Sequence, residues 1–441
     1  MPKNEGLKLL EDLVRKTYLV KDPYIVKVLV VHVITQFLKG DPLWIFLVAA
    51  SGGCKSEFIN MISKVCWTPP GQDPQKVWPV STLTENTFIS GMKTQTESSL
   101  LLQIGSGIIS VKDFTSIMAE KPEKRTVLMG QFREIYDGHY SKPYGNGQTK
   151  KWDGKITLLA GATHTIHDMR QSYTAMGERF TFYDIEQPDR HQAALWTMIN
   201  QESGTMNARR EEISTVCGQL VSDILDSMQP DSIKLDDATR NEIIYLSEFA
   251  TRSRSAIEHD WKTKEIVAIN PPEMPTRFAG GLQMYLMGAK VVNYFTTGEP
   301  VILPEDKKVV YKMALDSITN IRRLAMIELA RYTTMSTGAL GIAMHLPSSS
   351  ALTPLSDLHA LDVISRREAI KGMKEGKGYR WSIKEDYRQI LRKYDDIQLL
   401  GDELLDPAGE ATDGFDRTQY EGEPVKVEEI NAQLELGGGM T

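Results

Sequence analysis

Lys55 and Ser56 are the residues around which chemistry can be built. They close the run Ala49-Ala50-Ser51-Gly52-Gly53-Cys54-Lys55-Ser56, which follows a short apolar stretch, Leu43–Val48, and leads into a helix-like segment from Phe58 to Val65. A loop of the form G-x-x-x-x-G-K-[ST] between a strand and a helix cradles phosphates with backbone N–H groups. Its lysine reaches the β/γ-phosphates and its hydroxyl ligates Mg²⁺. Here Ala49 and Cys54 replace the two outer glycines. Side chains that small still allow close backbone approach, and Gly52-Gly53 keep the loop permissive. The alternative is a glycine-rich turn that binds nothing. The strand–loop–helix setting favours ATP with Mg²⁺, held by Ser51, Gly52, Gly53, Cys54, Lys55 and Ser56.

Three further positions could complete a phosphoryl-transfer site. Gly107–Phe114 reads as a strand ending in Asp113, and a carboxylate at the mouth of the strand neighbouring the loop would hold the Mg²⁺ shell together with Ser56. Lys112 stands beside it where a second acid would be expected. The next apolar run, from Lys155, ends in the polar pair Thr163-His164. Arg179 precedes the apolar run Phe180–Ile185. An arginine from one subunit can stabilise charge at a neighbour's γ-phosphate. Considered alone, Arg179 reads rather as a surface arginine paired with Glu178 or Asp184.

To present these residues together the chain needs a sheet. Leu43–Val48, Val77–Val80, Ile108–Val111, Ile156–Ala160 and Phe180–Ile185 are short continuous apolar runs, as in strands buried on both faces. Helical or loop-like segments alternate with them. Residues 43–190 are therefore expected to form an α/β unit, a parallel sheet with helices on both faces. Apolar spacing predicts helices over 7–20, 24–38, 213–228 and 238–257, and a single helix over 308–330.

Taken in order, these stretches resemble AAA+ ATPases, and within them the minichromosome maintenance replicative helicases. That family has a small residue before its Lys-Ser, as Cys54 is here, and a Gly, apolar strand, acids, Phe motif similar to Gly107–Phe114. Its sensor strand ends in Ala-Ala-x-Asn-Pro, similar to Ala160–His164, and its Ser-Arg-Phe finger is similar to Glu178-Arg179-Phe180. The resemblance implies Lys55 and Ser56 on phosphate and Mg²⁺, Thr163 as sensor 1, and Arg179 as a finger acting on the next subunit of a ring or filament. Arg277, in Thr276-Arg277-Phe278, looks like the sensor-2 arginine of a helical lid. Aligned on Phe114, Lys112 falls on the metal-binding acid and Asp113 on the catalytic one. A single carboxylate then serves one role or both, with Glu134 as a substitute base, and slow hydrolysis is implied. Lys112–Thr115, Arg133–Gly138 and Gly177–Phe180 also resemble a group of phage and mobile-element proteins, which implies element-encoded DNA metabolism.

Residues 316–383 carry a second pattern, which resembles a winged helix-turn-helix: a helix from Ile318, a short one near Gly338–His345, a third through Leu352–Leu361, and a hairpin. Ser348 and Ser349 at the start of the third helix can donate to phosphates or bases. Arg366, Arg367, Lys371, Lys374 and Arg380 on the hairpin can track a DNA backbone. A protein-contact role for this module is the alternative.

The chain's 51 basic and 58 acidic side chains give −7, and residues 401–441 hold 11 of the acids and 2 of the bases. That tail reads as largely disordered, leaving a near-neutral body whose local basic patches matter. Three cysteines are too few for a disulfide framework and fit a reducing cytoplasm, with Cys66 and Cys217 expected in the core. His139, His164 and His167 show no metal-ligand spacing. No apolar run is long enough to span a membrane. The expected organisation is N-terminal helices over 1–42, the ATPase core over 43–190, a lid over 191–305, the winged helix over 308–395 and the tail over 400–441. The function expected is an AAA+ ATPase acting on DNA with other replication proteins, as a helicase, loader or initiator. The alternatives are a nucleotide-gated DNA-binding regulator and an interaction protein with a relic loop.

Overall fold

The computed structural model describes residues 5–90, 99–145, 147–169, 179–202, 204–228, 233–368 and 379–395. Lys371, Lys374, Glu178 and the acidic tail lie outside them. The strands in chain order are β1 (Trp44–Val48), β2 (Cys66–Trp67), β3 (Gln75–Val80), β4 (Gly107–Val111), β5 (His139–Pro143), β6 (Thr149–Asp153), β7 (Ile156–Ala162), β8 (Phe180–Asp184), β9 (Ile257–His259), β10 (Ile266–Ile269), β11 (Met335–Ser336), β12 (Ile364–Glu368) and β13 (Tyr379–Ile383).

Six of them form a sheet in the order β2-β3-β4-β7-β1-β8. All pairs are parallel except β2 with β3. Every residue of β1, β4 and β7 is buried. That double burial is why these strands read as unbroken apolar runs. Alternation still sorts them by face. Ile45, Leu47, Leu159 and Tyr183 share one core cluster with the helices Gly6–Thr17, Ile25–Thr35 and Thr276–Thr297. Trp44, Phe46, Leu158, Phe180 and Phe182 share the other with the helix Pro122–Tyr136. The chain is thus a mixed α/β protein with a mainly parallel central sheet and helices on both faces.

The expected strands are all present, but two expectations on arrangement fail. The strand carrying Asp113 is not the neighbour of the loop strand, because β7 lies between β4 and β1. The single helix over 308–330 is two, Pro304–Asp316 and Asn320–Arg331. The break brings Asp316 and Ser317 to the edge of β8, where Asp316 Oδ2 accepts from the Asp184 N–H at 2.8 Å and Ser317 Oγ accepts from the Phe182 N–H at 3.4 Å. These bonds satisfy edge groups that a continuous helix would leave unmade. Cys217 is in the core as expected, whereas Cys66 is exposed on β2, the short strand at the sheet's margin.

Beyond the sheet the chain is mostly helical through Thr297, interrupted by the hairpin β9–β10. Residues 320–368 and 379–383 then fold as the helices Asn320–Arg331, Thr337–Ala343 and Ser348–Ala360 against a sheet of order β11-β13-β12. Buried Arg322 holds this part to the helical region, with Nη2 2.8 Å from Asp357 Oδ2 and Nη1 2.7 Å from the Ser255 carbonyl. Among the described residues, no helix is long and apolar enough to cross a membrane.

Candidate functional site

The loop after β1 leaves the C-terminal edge of the sheet, and the sheet continues on both sides of β1, to β7 and to β8. In open parallel sheets this is where ligands bind. Three local features shape the loop. Cys54 has φ 58° and ψ 8°, the left-handed conformation, immediately before the helix Lys55–Met61. Gly53 is enclosed: a Cβ there would lie 2.5 Å from Gln187 Oε1 and 3.0 Å from the Ala49 Cβ. Lys55 folds back over the turn, its Nζ donating to the carbonyls of Ala49 (2.8 Å) and Ala50 (2.7 Å). Partial burial lowers the Lys55 pKa, and the charge of Asp113 opposes that shift. Ser51, Gly52 and Ser56 are exposed around it.

The ends of β4 and β7 meet beside this loop. Gly161 permits their approach, since a Cβ would lie 2.5 Å from the Lys112 carbonyl oxygen. Asp113 is exposed, and its Oδ1 accepts from the Thr115 N–H at 3.0 Å. Thr115 Oγ1 in turn accepts from the Thr163 N–H at 3.0 Å, and Thr163 Oγ1 lies 2.7 Å from Thr165 Oγ1. Thr115 was not singled out from the sequence, although its place two residues after Asp113 is that of an Asx turn. The donor set fits Mg²⁺ and phosphate: an exposed hydroxyl at Ser56, an exposed carboxylate at Asp113 and an ammonium held only by loop carbonyls.

A cavity of about 220 Å³ adjoins the loop, bounded by Leu19, Val20, Gly53, Pro188, Trp196 and Met206. One wall is fixed by Glu57, which accepts from Arg210 Nε at 2.8 Å and from the Tyr18 hydroxyl at 2.9 Å.

Other expected residues gather at the opposite edge. Arg179 precedes β8, is buried, and pairs with Asp137 through Nη2 at 2.9 and 3.1 Å. Asp184 is not its partner but faces His167 at 3.7 Å and Arg323 at 3.4 Å; Glu178 lies outside the described residues. Exposed Arg277 lines the same small cleft as Arg179, with Tyr136 and Trp44. Glu134 is exposed in the last turn of Pro122–Tyr136, whose end packs on Trp44 at the start of β1. It is not brought to Lys55.

In the C-terminal part, Ser348 and Ser349 are exposed in the first turn of Ser348–Ala360, and Arg366 and Arg367 are exposed on β12. Arg367 faces Arg380 directly across the β12–β13 pair. The Arg366 guanidinium lies 4.6 Å over the Tyr379 ring.

No family model and no curated protein matches this chain. Among solved structures, one described as "SCCmec type IV Cch - active helicase" is similar at 8% identity and a TM-score of 0.37, over 86% of this chain and 71% of that chain.

Proposed function

We propose that the chain is an ATP-binding, ATP-hydrolysing protein of AAA+ type that acts on DNA. The observation that carries the reading is the left-handed turn at Cys54, set at the C-terminal end of β1 and followed at once by Lys55-Ser56. A residue with a side chain rarely takes that conformation. Its presence here supports a backbone shaped for a phosphate rather than a casual turn. The cavity bounded by Trp196, Pro188 and Met206 has apolar walls suited to the adenine base.

On this reading Lys55 exchanges its two loop carbonyls for the β/γ-phosphates. Ser56 and Asp113 hold the Mg²⁺, which when bound neutralises charge on those phosphates. The threonine chain Thr115–Thr163–Thr165 orients water beside Asp113, with Thr163 in the sensor-1 role. Residues 191–305 act as the lid, and 308–395 as a winged helix that meets DNA through Ser348, Ser349, Arg366, Arg367, Lys371, Lys374 and Arg380. Arg179 and Arg277 act on the nucleotide of the next subunit in a ring or filament.

The test is ATP binding and turnover with and without DNA, for the wild type and for Lys55→Ala. Wild type should bind ATP and hydrolyse it, with turnover responding to DNA, and Lys55→Ala should lose binding or turnover with its fold intact. Equal binding and turnover in the variant would overturn the assignment. Lys112 beside Asp113 supports a second reading, a nucleotide-gated DNA-binding regulator. Tight ATP binding by the wild type without turnover under any DNA condition would favour that one.

A further inference from the structure

We propose that His164, His167 and Asp184 form a three-ligand site for a transition-metal dication, zinc first. His164 lies in the turn after β7, His167 in the short helix Thr165–Met169 that follows, and Asp184 ends β8. Sequence spacing did not reveal the group because its carboxylate comes from another strand. One ligand atom from each residue lies within 4.8 Å of the other two.

One buried atom makes this more than a cluster of polar side chains: Asp184 Oδ1 is buried without a hydrogen-bond partner, and it faces the ring of His167, itself only 8% exposed. His167 Nε2 and Asp184 Oδ1 stand 3.7 Å apart, too far for a hydrogen bond. Two tetrahedral ligands at zinc distances of 2.0–2.1 Å would be roughly 3.4 Å apart, so a small adjustment seats an ion between them.

The surroundings hold the ligands in place as an outer shell does. The His167 ring packs on Phe182 at 5.1 Å. Asp184 Oδ2 faces Arg323 Nη2 at 3.4 Å, leaving Oδ1 toward the histidines. Arg323 and Lys312 are both paired to Asp316, so the two cations and two carboxylates balance. The ion's own charge then favours a hydroxide in the open fourth position, which zinc promotes by acidifying its bound water. Imidazole ligands select zinc or cobalt over Mg²⁺, which separates this site from the hydroxyl and carboxylate beside the loop. A bound ion would fasten the segment following Thr163 to β8.

The test uses the full chain, stripped of metal with a chelator and free of nucleotide. Co²⁺ is added alone and followed by its visible absorption, and Zn²⁺ is then titrated against a chromophoric chelator. The expected result is one ion per chain with tetrahedral cobalt absorption that zinc abolishes. His164 is exposed, so His164→Ala leaves the core intact and should weaken binding at least about tenfold. His167→Ala should do the same. Absence of tetrahedral cobalt absorption overturns the proposal. So does binding that His164→Ala leaves untouched, because the ion then sits elsewhere.

Discussion

Cys54 shows what a single residue contributes to the loop. A left-handed φ costs a residue with a side chain roughly 1–2 kcal/mol, and glycine escapes that cost while losing more chain entropy on folding. Cys54→Gly should therefore stabilise the fold by about 0.5–1 kcal/mol while retaining ATP affinity, measured by denaturant unfolding and nucleotide titration. A loss of stability would mean that Cys54 makes packing contacts worth more than the strain. The loop was legible in the sequence because its parts are contiguous: strand, glycines, Lys55, Ser56, helix. Partnerships across the fold were not. Asp137 lies 42 positions from Arg179, and Thr115 lies 48 from Thr163, so nothing local announced either pair. Cys66 misled because its neighbours are apolar, although a two-residue marginal strand leaves it exposed.

Helix Ile25–Thr35 is buried on every side, and His32 goes with it. Complete burial pushes the His32 pKa from 6.5 down to about 3, and neither ring nitrogen has a hydrogen-bond partner. The unfolded chain then binds a proton between these values and the folded chain does not. Stability is full above pH 6.5 and falls as the pH drops toward 3, by at most about 5 kcal/mol from this group. His32→Leu should flatten that acid limb of the stability curve; an unchanged limb would assign acid lability to other groups. The run of valines around His32 would suit a strand by propensity alone, yet spacing read it as a helix because burial on all sides overrides propensity. Hairpin β5–β6 escaped the reading because its strands, such as Thr149–Asp153, lack an apolar run, and β9–β10 because its apolar strand Ile266–Ile269 is only four residues long and pairs with the three-residue β9. Hairpin β12–β13 was legible from its flanking apolar residues, and it carries the DNA prediction. Replacing Arg366, Arg367, Lys371 and Lys374 by Ala should weaken duplex binding and lower the salt slope by up to about one per lost phosphate contact. Unchanged affinity and slope would assign the module to protein contacts.

Across the whole molecule the loop and the two arginines occupy opposite ends of one sheet. β1 alone separates its ends by roughly 13 Å, at about 3.3 Å per residue, so Arg179 does not reach the loop of its own chain. Arg277 shares its cleft and hence its constraint. An arginine that meets a γ-phosphate from there does so on a second copy. Order along the chain was readable, whereas this division into two ends depends on β1 and β8 lying side by side and parallel, which puts the residue before one strand and the loop after the other at opposite ends. The prediction is that Arg179→Ala keeps wild-type ATP binding and loses turnover by roughly 10³-fold. Mixing it with Lys55→Ala should restore part of the activity, since one kind of interface then joins an intact loop to an intact finger. The Asp137 pair gives the competing expectation a separate signature. If Arg179 serves only that buried contact, its loss lowers stability, turnover per folded molecule stays near wild type, and mixing rescues nothing. Unfolding curves run beside the mixing assay separate the two outcomes. Arg277→Ala should follow the same pattern without the stability loss, because its side chain is exposed.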